Sequence, residues 1–439
     1  MPILGGRSFG RWVVSSLGGG VGPWWWAIIT DTTAPPQFQD TDIATDDAGS
    51  AYYVSGSYNN PSYVQEPKIF KISNSGVVTW ARRLFGSTWS QNSTNITFER
   101  SRVLVSGVNG TGSVQYNYAQ TLNADGTNTS VSRSVGVDGY HNATSIHSTA
   151  TLDGSNNIYS AGAFLNSAMS DYNDFITQYT AAGAIGWSRF WFGNGPRTSV
   201  KFGNSNLYFH RFNNLYKFNS SGTLINSRNI SGSTGSATSY GFKFGLDASE
   251  NQYRGGSTTN LAMIDKFDSD LLMTWGRSFT LTGQSIYGSG AAIDSANNVY
   301  AFYTTPGASK MIWVVKADTN GTIQWTRSFA FRISSSVPYI NKSALAVYSN
   351  GDIVITLSQD TTANRPQIVV KLPADGTKTG TYTSGAYAFD WTAETPTFTS
   401  RTASYSTPSA PSTPSASAGA GAPSNSAWTN YAVTKTDIP

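Results

Sequence analysis

The side chains best suited to acid–base or metal chemistry in this chain are three histidines, His141, His147 and His210. His141 and His147 stand six residues apart with no acidic or cysteine partner beside them, so their spacing assembles neither a zinc site nor a Ser-His-Asp arrangement. The chain has no cysteine, which removes thiol nucleophiles, disulfides and Cys-based zinc sites. A second set is acidic: Asp46, Asp153, Asp247 and Asp294 each open a polar turn. Calcium asks for about six to eight oxygen ligands. Each turn offers one or two carboxylates, which at a tight turn are equally suited to accepting local backbone N–H bonds. Glycine clusters occur without the strand-then-helix setting that makes phosphate or dinucleotide sites. Carboxylates paired for glycoside cleavage would have to come from distant parts of the chain, which spacing does not reveal. These residues give no catalytic, cofactor or metal site, and the expectation is a protein that is not an enzyme.

Tryptophan and arginine behave differently, because they recur in register. The clearest copy runs from Lys316 through Gly321 and Trp325 to Arg327. Its rule is Lys or Gln first, Gly five residues on, Trp nine on and Arg eleven on. Copies start at Lys71, Thr121, Gln178, Lys217, Lys266, Lys316 and Lys371, at intervals of 50, 57, 39, 49, 50 and 55 residues. The Trp position holds Trp80, Trp187, Trp275 and Trp325; the Arg position holds Arg82, Arg189, Arg228, Arg277 and Arg327. The Gly position fails once, at Leu271. Trp and Arg two apart on a strand share a face. A feature present in nearly every repeat reads as a contact between repeats rather than as a single active site.

Between these phrases lies a second recurring piece, an Asp/Asn/Gly turn flanked by apolar residues. Examples are Asp153 with Asn157 and Tyr159, Asp247 with Asn251 and Tyr253, and Asp294 with Asn298 and Tyr300. Two hairpins per repeat make a four-stranded antiparallel sheet that is apolar on both faces. Such a sheet is stable only when stacked, and seven of them at this spacing predict an all-β, seven-bladed β-propeller of four-stranded antiparallel blades. Residues are 13% aromatic and 12% charged, which suits many short strands joined by turns.

The Gly-x-x-x-Trp phrase resembles the repeat of the PQQ-like β-propellers over roughly residues 43 to 382. That resemblance implies that Trp80, Trp187, Trp275 and Trp325 dock between neighbouring blades. It is similar also to seven-bladed repeats of bacterial surface and phage structural proteins. The chain departs from the cofactor-bearing members in having no recognisable acidic calcium cradle, so no cofactor is expected.

A propeller ring is usually closed by strands from both chain ends. The seventh copy lacks both Trp and Arg, having Gly380 and Tyr382, while Gly22-x-x-x-Trp26 supplies the missing pattern. The expected closing segment is 24–29, with Trp24, Trp26 and Ile28, paired to the strand around Ile368 to Leu372. Residues 1–22 read as an extended N-terminal arm, 23–382 as the propeller and 383–439 as an extended Ser/Pro/Ala-rich tail. Trp12, Trp428 and Tyr431 are the expected assembly contacts, since aromatic side chains give large contact area.

The net charge of +4 is small and no stretch concentrates Lys and Arg, so nucleic acid is not an expected partner. No apolar run approaches the roughly 20 residues of a membrane span. The N-terminal apolar runs are broken by Gly18-Gly19-Gly20, so a Sec signal is not expected. The functional expectation is a structural or adhesive virion protein of a tailed bacteriophage, in the tail or neck, contacting other virion proteins and copies of itself. The alternative is a glycan-binding adhesin at a cell surface, using loops such as Ser87 to Asn95 or Ser167 to Asp174 for host attachment.

Overall fold

The computed structural model describes residues 41–408, apart from 60–63, 85–89, 112–113, 138–146, 166–171, 193–197, 212, 232–242, 258–259, 281–285, 306–310, 334–338, 361–366 and 385–386. It also describes 13–14, 25–29, 410–411, 416–417, 428–430 and 434–435. Among the described residues every regular element is a β-strand.

Seven antiparallel sheets form the blades. In blades one to six the four strands follow chain order, from an innermost strand outward; blade one is Thr41–Thr45, Ala51–Asn59, Val64–Ile72 and Val78–Leu84. The innermost strands touch in sequence round the ring, and Tyr339–Val347 of blade seven meets Thr41–Thr45 of blade one. Blade seven takes its other strands from both ends of the propeller region: Ile353–Asp360, Gln367–Leu372 and, outermost, Trp25–Ile29. Trp26 lies opposite Val370 and Ile28 opposite Ile368.

Local chemistry explains the hairpins. In the outer hairpin Gly321 adopts φ +79°, and its N–H donates to the Asp318 carbonyl at 3.0 Å. The register slips by one residue after Lys316 in the same hairpin, and after Lys71, Gln178, Lys217 and Lys266 in theirs. A turn closed by a left-handed residue beside a bulge is the three-residue hairpin loop that a Gly-containing phrase favours. The apolar faces meet in seven clusters, one per blade interface. That between blades two and three includes, among the described residues, Leu104, Ala119, Ala150, Leu152, Ile158 and Tyr179.

Among the described residues of 383–439, read from the sequence as an extended tail, strands pair with the outer edges of blades in the reverse of blade order. Tyr387–Glu394 adds a fifth strand to blade six, and Gly380–Ser384 adds a sixth beyond it. Thr399–Arg401 then pairs with blade five, Ser404–Ser406 with blade four, Ala416–Ser417 with blade two and Trp428–Asn430 with blade one. Thr434–Lys435 finally pairs parallel with Val13–Val14. A polar sequence manages this because a strand added to a sheet edge needs free backbone groups more than apolar side chains.

Candidate functional site

In the four copies that carry tryptophan, the repeated phrase is a clamp from one blade onto the next. The indole N–H groups of Trp80, Trp187, Trp275 and Trp325 donate to the carbonyls of Ala124, Ser220, Thr319 and Ala374, at 3.1, 3.0, 2.9 and 3.2 Å. Lys71, Lys266 and Lys316 donate to the same carbonyls as the Trp beside them. Arg82 and Arg327 donate through Nε to the carbonyls of Gly126 and Gly376, at 2.9 and 2.7 Å, and Arg189 donates through Nη2 to that of Gly222 at 2.5 Å. Each guanidinium lies over its own tryptophan, including Arg277 over Trp275 at 6.0 Å. Arg228, opposite Leu215, sits in a blade that has no tryptophan at this position.

That blade also explains the exception at Leu271. A Cβ on Gly126, Gly222, Gly321 or Gly376 would lie between 2.4 and 2.9 Å from the tryptophan ring of the preceding blade. Glycine is therefore required twice, for its left-handed backbone and for room. Blade four has Asn226, whose shorter side chain donates to the Asp270 carbonyl at 2.8 Å. The next blade can then hold Leu271 at φ +68°, fully buried with Tyr208, Leu215 and Phe267.

The acidic turns are likewise occupied by local donors. Asp153 accepts from the N–H groups of Ser155 and Asn157, from Asn157 Nδ2, and from the Tyr159 hydroxyl at 2.9 Å. Asp247 and Asp294 repeat the pattern with Tyr253 and Tyr300, and Asp46 binds Tyr52 in the same way. Burial pushes the Tyr253 phenol up to about 12, so it remains a donor. Blade four has no such aspartate. Glu250, from blade five, accepts from Asn206 Nδ2 and the Tyr208 hydroxyl, both at 2.8 Å. It does so from a left-handed backbone, φ +61°, a local strain that its hydrogen bonds offset.

The axis carries the least repetitive chemistry. Lys243 enters at blade five and reaches across to blades one and two, placing Nζ 2.6 Å from Asp42 Oδ1 and donating to the carbonyls of Ile43 and Ile96 at 2.6 and 3.1 Å. Asp42 also accepts from Asn95 Nδ2 and the Ile96 N–H. Burial pushes the Asp42 carboxyl up against the pull of Lys243. Nearby, Glu99 accepts from Thr151 Oγ1 and the Leu152 N–H, and Thr151 accepts from the Phe202 N–H, which joins blades two, three and four. Burial pushes the Lys201 ammonium down, with Glu99 opposing. This arrangement locks opposite sides of the ring together through one ion pair. No periodic signal marked Lys243, Asp42 or Glu250, whereas the six-residue Asp-to-Tyr spacing was visible as a repeat.

His210 is buried, stacked on Phe244 at 3.8 Å, with Nε2 2.6 Å from Gln252 Oε1. Burial holds its imidazole down to about 3, the hydrogen bond it donates to Gln252 opposing and the Arg254 charge assisting. The unfolded imidazole titrates near 6.5, so acid protonates the unfolded chain first. Stability is therefore expected to be fully present above about pH 6.5 and to decline as pH falls toward about 3, by on the order of a few kcal/mol. Urea midpoints between about pH 7 and about pH 4.5 should show this slope, and His210→Gln should flatten it. An unchanged slope would assign it elsewhere.

Of the other expected residues, His147 lies on an innermost strand opposite Ala163, and Trp428 pairs opposite Leu84 of the same chain. Trp12, Trp24, Tyr431 and His141 lie outside the described residues, as do 87–89 and 167–171 of the loops considered for glycan contact.

These features define the class, a seven-bladed β-propeller closed by a strand from the N-terminal side. No family model matches the sequence, and no curated protein matches it. Solved structures share the fold. Trypanosoma rangeli sialidase is 11% identical at a TM-score of 0.42, over 83% of this chain and 58% of that one. A neuraminidase-like protein of A/little yellow-shouldered bat/Guatemala is 10% identical at 0.39, over 79% and 98%. The β-propeller domain of the Trilobed protease from Pyrococcus furiosus is 9% identical at 0.37, over 77% and 94%. The expectation of a non-enzyme is corrected here: the propellers similar to this one include a sialidase and a neuraminidase-like protein. The likeness is of fold and transfers no residue or reaction.

Proposed function

We propose that the chain is a structural component of a tailed-phage virion, a rigid ring that works as a platform among other virion proteins and copies of itself. The observation that supports this reading is the rim: the segment after blade seven is fastened to five blades in turn by backbone ladders. With the axial Lys243–Asp42 pair and the Trp25–Ile29 closing strand, opening any one blade requires several contacts to fail together. Such coupling favours slow unfolding, which suits a particle that persists outside a cell. The Gly-x-x-x-Trp phrase fits the PQQ-like repeat as a way of building blades.

The test is gradient purification of tailed particles from the organism carrying the sequence, followed by quantitative mass spectrometry and immunogold labelling. The expected result is co-sedimentation with capsid and tail proteins at fixed stoichiometry, with label at the tail or neck. Recovery only from the soluble cell fraction would overturn the reading.

A further inference from the structure

The junction of blades seven and one departs from the pattern of the others. Elsewhere the first residue of the phrase reaches the backbone carbonyl three places into the next copy: Lys71 to Ala124, Gln178 to Ser220, Lys217 to Ser269, Lys266 to Thr319 and Lys316 to Ala374. After blade seven the next copy is that of blade one, and its third place holds Asn74 instead of alanine, serine or threonine. Here Lys371 Nζ donates to the side-chain Oδ1 of Asn74. The same Nζ lies 3.1 Å from Asp352 Oδ2 and 4.8 Å from the centre of the Tyr348 ring. The Lys371 side chain is 2% exposed and that of Asp352 9%. Asp352 is itself fixed, accepting from the Ala374 N–H at 3.2 Å and from Asn350 Nδ2 at 3.0 Å. Asn74 stands on an exposed turn, with its amide against Gly49, where a Cβ would lie 3.3 Å from Asn74 Cγ. An amine, a carboxamide and a carboxylate therefore meet at one point, in the copy whose own Trp and Arg places hold Gly380 and Tyr382.

We propose that this point is a self-modification site, at which Lys371 Nζ forms an amide with Asn74 Cγ and fastens blade seven to blade one covalently. The hydrogen bond to Oδ1 sets the nucleophile one bond from the carbon it attacks, and a carboxylate at hydrogen-bond distance serves as its base. Two of the three Nζ protons pass by way of Asp352 to Nδ2. The Nζ–Cγ bond forms, the Cγ–Nδ2 bond breaks, and Nδ2 leaves as an ammonium ion. The charge thus moves from a buried lysine to a soluble ion, for which the exposed turn is the way out, and no other reactant is consumed. The location matters for the chain as a whole. Lys371 and Asn74 are 297 residues apart, whereas the other phrase contacts span 42 to 58. A cross-link here closes the longest loop and so restricts the unfolded chain most.

Intact-mass and peptide-mapping spectrometry of the purified full chain test this. The wild type is expected to be lighter than its sequence by one ammonia, and trypsin should release a branched peptide joining the segments around Asn74 and Lys371, uncut after Lys371. Lys371→Arg keeps the cation and removes the amine nucleophile. It should have its full sequence mass and, on a denaturing gel, run behind the wild type, whose loop stays closed. Asp352→Asn, which removes the base, should likewise keep its full mass. A wild type at full sequence mass, an ammonia lost without the branched peptide, or an Asp352→Asn chain joined as completely as the wild type would each overturn the proposal.

Discussion

Trp391→Ala is expected to cost the ring about 3–5 kcal/mol, the range for emptying a large core side chain. Trp391 belongs by sequence to the tail, yet it is fully buried against Phe329, Phe331, Leu345 and Ile355 at the interface of blades six and seven. Its ring meets that of Trp325 edge-on at 6.3 Å, so its loss also removes support from a clamp. Against the roughly 5–15 kcal/mol of a typical domain the loss is large. Among the described residues the indole N–H of Trp391 has no acceptor. Trp391→Phe, which keeps most of the volume and removes that donor, should cost under about 1.5 kcal/mol. Thermal unfolding with limited proteolysis checks both: the alanine variant should melt lower and be cut first at the tail. Equal melting of the two variants would show that the tail's aromatic side chains contribute little.

Gly222→Ala is expected to cost about 2–4 kcal/mol, part from a left-handed alanine and part from overpacking. The new Cβ would stand 2.4 Å from Trp187 Cδ2, at φ +78°. The informative measurement is the double-mutant cycle with Trp187→Asn. Removing the indole opens the space, so the second substitution should cost only the backbone term, with a coupling of about 1–3 kcal/mol. The molecule already contains this double change, at Asn226 and Leu271. Additive costs would mean that the glycine serves its turn alone.

The cycle also shows what was legible in the sequence. The seven phrases fixed the blades because burial of both sheet faces imposes the same residues at each turn. The meaning of Leu271 was not legible, because the constraint runs from a tryptophan in one copy to a glycine in the next. Comparing copies position by position hides it. Asp42, Lys243 and Glu250 escaped for a related reason: each meets its partner once, across the ring or between unlike blades, and leaves no period. Composition hid the tail strands. Thr399–Arg401 and Ser404–Ser406 are polar, and strands that borrow a finished edge carry no alternating apolar signature. Tyr387–Glu394 was the exception, since Phe389 and Trp391 alternate and are both buried.

The closing strand sets a timetable for synthesis. Trp25–Ile29, reading Trp-Trp-Ala-Ile-Ile, pairs with Gln367–Leu372, so it leaves the ribosome some 338 residues before its partner exists. At about 5–20 residues per second that is a wait of roughly 20–70 s. Throughout it an apolar strand must be kept from pairing with neighbouring nascent chains, so the yield of folded ring should depend on how crowded the polysome is.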